Sequence, residues 1–295
     1  MAKFSDHLGL WAFKTVRFSF QLTPFWLLYA YSNFLYLVLY KLLGYRKQVV
    51  RDNLLRCFPE KTEAERSQIE RQFYSHLCDI FLESLKGLSM SEKEAEKRWK
   101  VVNGNILDPI AQKQGAAVLA GAHYNNWEWG GAGLGFQTPM LSMVIYKPMA
   151  NKLIEAEMLK GRSLSGNIIV PTYETAKQFE AHKADSPLLV LIADQNPSSV
   201  KKAHWVEFFG QQTATIHGPA RYAQSYNIPI YYFDVQKIKR GVYEVHFEEL
   251  IKDPQAHTAE EISQIYMAKV EQQIRKDPAY WLWSHKRWKH KPPQA

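Results

Sequence analysis

The chain has 295 residues, 46% of them hydrophobic, with 37 Lys and Arg against 29 Asp and Glu, a formal net charge of +8. That apolar content excludes a disordered chain, and the length holds one large domain beyond a terminal segment. Cys57 and Cys78 have no metal-ligand spacing, which argues against a disulfide scaffold and a zinc framework, so neither a metal nor a cofactor is expected.

From Phe18 to Tyr40 run 23 residues without a charge. About 20 apolar residues cross a bilayer core as a helix, whereas Tyr and Trp favour the headgroup boundary. Gln21, Ser32 and Asn33 make this a marginal span, so spanning the bilayer and lying in its interface both stay open. A buried aromatic helix of a soluble domain is the alternative. Lys41, Arg46, Lys47 and Arg51 outnumber Lys14 and Arg17 on the other flank, and positive-inside bias then places the main body in the cytoplasm. The late start and the lack of a small-residue cleavage site argue against a removable signal peptide. The expected division is a membrane-anchoring helix in residues 1–45 and the main domain in 46–295.

Thr62 with Glu65 forms a capping box, and Ile69, Phe73, Leu77, Ile80 and Leu85 continue at helical spacing to Gly87. Ser91 with Glu94 opens a shorter helix. From about residue 100 short apolar runs (Ala117–Leu119, Leu141–Tyr146, Asn167–Val170, Leu188–Ile192, Ile230–Val235, Tyr243–Leu250) alternate with helical stretches (Asn151–Leu164, Thr172–His182, Ile216–Tyr226, Thr258–Lys276). This alternation predicts an α/β fold, a mixed and mainly parallel sheet flanked by helices. Gln236–Gly241 reads as the turn of an antiparallel hairpin at one edge.

The most informative stretch is His123-Tyr124-Asn125-Asn126-Trp127-Glu128-Trp129. It follows the buried-strand pattern Ala116–Gly121, and the carboxyl ends of strands are where open α/β sheets place their chemistry. A His takes a proton from a hydroxyl at neutral pH when a carboxylate orients it. Five positions on a continuous helix would leave His123 and Glu128 about 140° apart. Asn125, a good N-cap with Glu128 three residues on, offers a turn followed by a helix start instead. Amides of that start, near Asn126, would steady an oxyanion. Gly130, Gly131, Gly133 and Gly135 permit close approach of another segment. The pair is thus read as a general base for moving an acyl group to an alcohol; a surface His beside a helix-capping Glu is the alternative. Asp194 and Gln195 follow the apolar strand Leu188–Ile192, again at a carboxyl end. The final run, Trp281 to Lys291, mixes aromatics with cations and suits a headgroup surface, or a final helix packed on the core. No nucleic-acid motif appears and the cations are scattered, so nucleic acid is not an expected partner.

Taken together, these residues resemble the late acyltransferases of lipid A biosynthesis, the lauroyl/myristoyl transferase family, over nearly the whole chain. The resemblance runs through Tyr45–Leu54, Phe58-Pro59, His123-x4-Glu128, Tyr146-Lys147-Pro148 with Asn151, and Arg162. It continues through Ala193–Pro197, Phe208-Phe209-Gly210, Thr213-Ala214-Thr215 with Gly218–Arg221, and Tyr280–Lys289. The family implies a glycerol-3-phosphate acyltransferase-like fold behind an N-terminal membrane-associated helix. It also implies an inner-membrane enzyme with its site on the cytoplasmic face. The donor would be an acyl-carrier-protein (or coenzyme A) thioester, and the acceptor a lipid hydroxyl. On this resemblance His123 and Glu128 are catalytic, and Arg162, Asp194 and Gln195 bind substrate. Lys147 and Arg162 suit phosphate or carbonyl oxygens and Arg221 an anionic headgroup, each against the alternative of an ordinary ion pair. Residues 196–202 and Ile216-His217 depart from the best-known members, which leaves another polar lipid acceptor open.

Overall fold

The uncharged N-terminal run is not one helix. The computed structural model, which describes residues 4–292, ends α1 (Phe4–Leu22) at Thr23-Pro24 and restarts as α2 (Phe25–Tyr36), which continues as a π-helical turn over Leu37–Leu42. Proline has no amide to offer and restricts the residue before it, so the helix stops there. The carbonyls left open at the end of α1 are taken by Lys86, whose Nζ donates to Phe20, Gln21 and Thr23 at 2.7–3.0 Å. Among the described residues no single helix is long and apolar enough to cross a membrane. The bent pair Phe25–Leu42 and Lys47–Cys57, turned by 86°, reaches that length and composition. The run expected as one helix is therefore broken into separate helical segments.

The inner side of α2 mixes polar and apolar groups: Leu28 and Ser32 are both buried. On α2, Tyr29 donates to Glu83 at 2.8 Å and Ser32 to Asp79 at 2.6 Å. Arg240 binds both Asp79 and Asn33. Trp11, Trp26, Phe34 and Leu42 face outward, with Trp11 and Trp26 each 73% exposed. A soluble amphipathic helix turns polar residues outward, so this apolar outer face is the departure.

After α3 (Lys47–Cys57), α4 (Glu63–Gly87) opens on the Thr62–Glu65 capping box, and α5 (Glu92–Arg98) opens on Ser91. The chain then enters β1 (Trp99–Val101), passes α6 (Asp108–Ala111), and forms β2 (Ala117–Gly121), α7 (Gly130–Gly133), β3 (Leu141–Tyr146), α8 (Lys152–Arg162), β4 (Ile168–Pro171), α9 (Thr175–Ala181) and β5 (Pro187–Ile192). A small antiparallel pair, β6 (His204–Phe208) and β7 (Gln211–Thr215), stands outside the main sheet. Next come α10 (Gly218–Tyr226), the hairpin β8 (Ile230–Lys239) and β9 (Val242–Ile251), and α11 (Ala259–Lys276). The seven-stranded sheet has the order β1-β9-β8-β2-β5-β3-β4 and is parallel except between β8 and β9. The mixed, mainly parallel sheet flanked by helices is therefore present. The hairpin is not the edge, because β1 pairs outside β9.

The central strand β2 is buried at every position, as a parallel strand covered on both faces must be. Val118 and Ala120 join one core, with Leu189, Tyr232 and Tyr266; Ala117 and Leu119 join the other, with Trp99, Trp129 and Tyr243. Gly121 closes the strand because a Cβ there would lie 2.2 Å from the Phe233 ring.

Candidate active site

Strands β2 and β5 are parallel neighbours, with Gly121 opposite Ile192 at their carboxyl ends. Two residues past the first comes His123; two past the second comes Asp194. The Asp194 carboxylate lies 2.6 Å from His123 Nδ1 and also accepts the His123 amide at 3.1 Å. Trp281 Nε1 donates to its other face at 2.7 Å. Asp194 is 1% exposed. Burial works to raise its pKa, but the charge and hydrogen bonds of His123 and the Trp281 N–H outweigh it, holding the carboxyl below its ordinary value. With Nδ1–H committed to Asp194, neutral His123 carries its lone pair on Nε2.

The chain's last segment completes this wall. Residues Tyr280 to Leu282 run beside the His123 loop: the Asn125 amide donates to Tyr280 O at 2.9 Å and the Leu282 amide to His123 O at 3.1 Å. The Trp127 ring stands edge-on to the imidazole at 5.2 Å. Trp281 and Trp283 are buried, so this part of the aromatic run serves the core.

The carboxylate orienting His123 is thus Asp194, not Glu128 as the spacing suggested. Glu128 binds Arg162, at the end of α8, at 2.7 Å, with both side chains partly exposed. The helix expected after His123 is only the four residues Gly130–Gly133, too short to offer an anion a developed helix start. Asn125 is not its cap. Asn125 takes a left-handed backbone, φ 51°, and donates to Val235 O. The helix has Trp129 at its N-cap and no side-chain cap; Asn126 Oδ1 accepts the Trp129 amide at 3.0 Å and closes the turn before it. Its Nδ2 donates to Glu83 at 2.7 Å and its carbonyl accepts Trp99 Nε1 at 2.9 Å. Asn126 is fully buried, so it holds the loop and does not face a substrate. Glu83 also accepts Tyr243 OH at 2.9 Å, and burial with the nearby charge of Asp79 raises its pKa.

With this geometry in place, the comparison with known proteins is decisive. The bacterial lipid A biosynthesis acyltransferase family matches residues 3–290. The chain belongs to that family. Similar relatives include a lipid A biosynthesis palmitoleoyltransferase of Escherichia coli K12, 25% identical over 252 residues, covering 84% of this chain and 80% of that protein. A lipid A biosynthesis acyltransferase of Haemophilus influenzae is 27% identical over 256 residues, 84% and 79% of the two chains. The lipid A biosynthesis lauroyltransferase of Escherichia coli K12 is 26% identical over 251 residues, 84% and 80%.

In this lipid A biosynthesis acyltransferase family member, a cavity of about 550 Å³ is lined by the neighbours of the His123–Asp194 pair, Gln195 and Leu282, and not by the pair itself. Leu35, Leu39, Leu77, Phe81 and Leu282 supply its apolar wall, and Gln195, Arg46 and His285 its polar one. Gln195 follows Asp194, and Leu282 is bonded to His123, so the cavity adjoins the pair through both. His285 Nε2 accepts the Asn196 amide at 3.2 Å, and burial lowers its pKa to about 4. Lys147, exposed after β3, and Arg221, exposed on α10 with its guanidinium over the Tyr222 ring, join neither ion pair. Glu83 and Tyr266 escaped the sequence reading, and so did the bond from Trp281, read only as part of the final run, to Asp194. Each acts from an element distant in sequence, and no local spacing marks it.

Proposed function

We propose that the protein transfers a fatty acyl chain from an acyl-carrier-protein thioester to a hydroxyl of a lipid A precursor. The observation that carries this reading is the hydrogen-bonded pair of His123 and Asp194, whose neighbours Gln195 and Leu282 line a cavity with an apolar wall. His123 Nε2 takes the acceptor's hydroxyl proton as the oxygen attacks the thioester carbonyl. The C–O bond forms and the carbonyl oxygen becomes an oxyanion. Collapse breaks the C–S bond, and the imidazolium returns the proton to the departing thiolate. The products are an ester and a free thiol. Asp194 fixes the ring and stabilises its charged form. Arg162, held by Glu128, has guanidinium donors left over for a carbonyl or phosphate oxygen. The acyl chain occupies the groove of Leu35, Leu39, Leu77 and Phe81.

The outward aromatic and aliphatic side chains of α1 and α2 favour a helix pair lying in the membrane interface, with basic residues meeting anionic headgroups. An inner-membrane location with the site on the cytoplasmic side agrees with the basic flank after Tyr40. A different polar lipid acceptor is the second reading, favoured by the makeup of Asn196–Lys202 beside Gln195.

The test is transfer by the purified, detergent-solubilised protein. It uses a ladder of acyl-carrier-protein and coenzyme A thioesters and a panel of lipid A precursors, glycolipids, aminolipids and lysophospholipids. Ester formation on a lipid A precursor supports the proposal. Transfer to another class alone supports the second reading, and no transfer to any acceptor contradicts both.

A further inference from the structure

The last register pair between β2 and β5 joins Gly121 to Ile192. The next link between the two chains passes through a side chain. Tyr266, on α11, donates its hydroxyl hydrogen to Gly121 O at 2.6 Å and accepts the Ala193 amide at 3.1 Å. The ring is 1% exposed and packs in the core beside Tyr232, at 6.3 Å between centroids. Burial and the nearby charge of Asp194 keep the phenol protonated, so donation to Gly121 O is the state this site holds. His123 lies two residues beyond one end of this bridge and Asp194 one residue beyond the other.

We infer that Tyr266 is a positioning residue for the His123–Asp194 pair: its hydroxyl, set between the two diverging strands, fixes how far apart and in what direction they leave the sheet. The strand pairing alone does not do so, because the ladder ends at Gly121 and Ile192, before either catalytic residue. The His123 amide bond to Asp194 and the Trp281 contact orient the carboxylate, but both lie on the far side of the divergence. The Tyr266 hydroxyl is the contact that spans its base. Removing it leaves Gly121 O and the Ala193 amide without this partner in a buried place, and the two backbones are free to settle differently. Small misplacement of a catalytic pair is costly to rate while leaving binding surfaces alone.

This inference rests on His123 and Asp194 acting as the base, and the experiment separates the two. Tyr266→Phe keeps ring volume and removes only the hydroxyl. Full-length protein in detergent is assayed with an acyl-carrier-protein thioester and whichever lipid acceptor the panel identifies. Y266F is expected to lower kcat about tenfold with both KM values within about twofold. In a D194N background the same substitution is expected to change kcat by less than about twofold, since the geometry it guards is already lost. Tyr232→Phe removes the neighbouring buried hydroxyl, which bonds Gln273, and should leave kcat unchanged. Equal losses from Y232F and Y266F, or full multiplicative effects of Y266F and D194N, would overturn the inference. If H123A retains full activity, the reading of the base fails instead. Should Y266F not fold, 3-fluorotyrosine at position 266 keeps ring and hydroxyl but alters the bond strength. Its effect on kcat should then vanish in D194N, and an unchanged kcat in the wild-type background would overturn the inference.

Discussion

Asp194 reaches His123 Nδ1 at 2.6 Å from the neighbouring strand, 71 positions along the chain. The ring is therefore oriented by the sheet and not by its own turn, which makes the roles of the two acidic residues separable. Asp194→Asn should lower kcat by roughly 10²–10⁴ with little change in KM, because it removes the group that fixes the tautomer and stabilises the imidazolium. Steady-state kinetics on an acyl thioester and lipid acceptor check this. A rise in KM with kcat preserved would place Asp194 in binding instead.

Glu128 and Arg162 form the second pair, 2.7 Å apart and partly exposed. Their contact is expected to add about 0.2–1 kcal/mol to stability, as screened ion pairs do. The larger effect should be on substrate: Arg162→Ala is expected to raise KM about tenfold, and Arg162→Lys to recover only part, since an ammonium cannot reproduce a planar fork. Unfolding of the single and double variants, with kinetics on each, distinguishes a binding role from a structural ion pair.

His285 gives a pH signature of its own. Burial lowers its folded pKa from 6.5 to about 4, and Nε2 lies 3.2 Å from the Asn196 amide and 2.9 Å from Asn196 Oδ1. Above pH 6.5 the group is neutral in both states and contributes no slope. As pH falls from 6.5 towards 4, the unfolded chain binds the proton first, so folded stability drops; below 4 the slope ends. Discounted for its partial exposure, the loss is on the order of 1–2 kcal/mol. Thermal unfolding across this range should show His285→Gln losing less stability than the wild type. Parallel curves for the two proteins would contradict this assignment.

Trp26, 73% exposed on α2, tests the membrane reading. Trp26→Asp should leave the folded protein's unfolding midpoint nearly unchanged, because the ring packs little within the fold. Its partition onto vesicles containing anionic lipid should fall about tenfold or more. Unchanged flotation with vesicles would count against an interfacial α2.

The sheet was legible because buried strands and amphipathic helices have different periods, and the runs at Leu141–Tyr146 and Leu188–Ile192 are strands where the pattern placed them. Thr62 and Glu65 marked a helix start through local chemistry that survives folding intact. His123 and Asp194 were each legible as residues at the carboxyl end of a strand, but their partnership was not, since it depends on which strands become neighbours. The orienting carboxylate was assigned to Glu128 rather than Asp194 for that reason: proximity in sequence stood in for proximity in space. The N-terminal run misled in a different way. Its hydropathy suits a span, but Pro24 breaks it and the inward polar contacts of Tyr29 and Ser32 bind it to the domain.

The central claim is that His123 removes the acceptor's proton. Single-turnover acyl transfer by His123→Ala, at saturating thioester and acceptor, measures this directly. The account predicts a rate about 10²–10⁴ below wild type with thioester binding retained; transfer at the wild-type rate would contradict it.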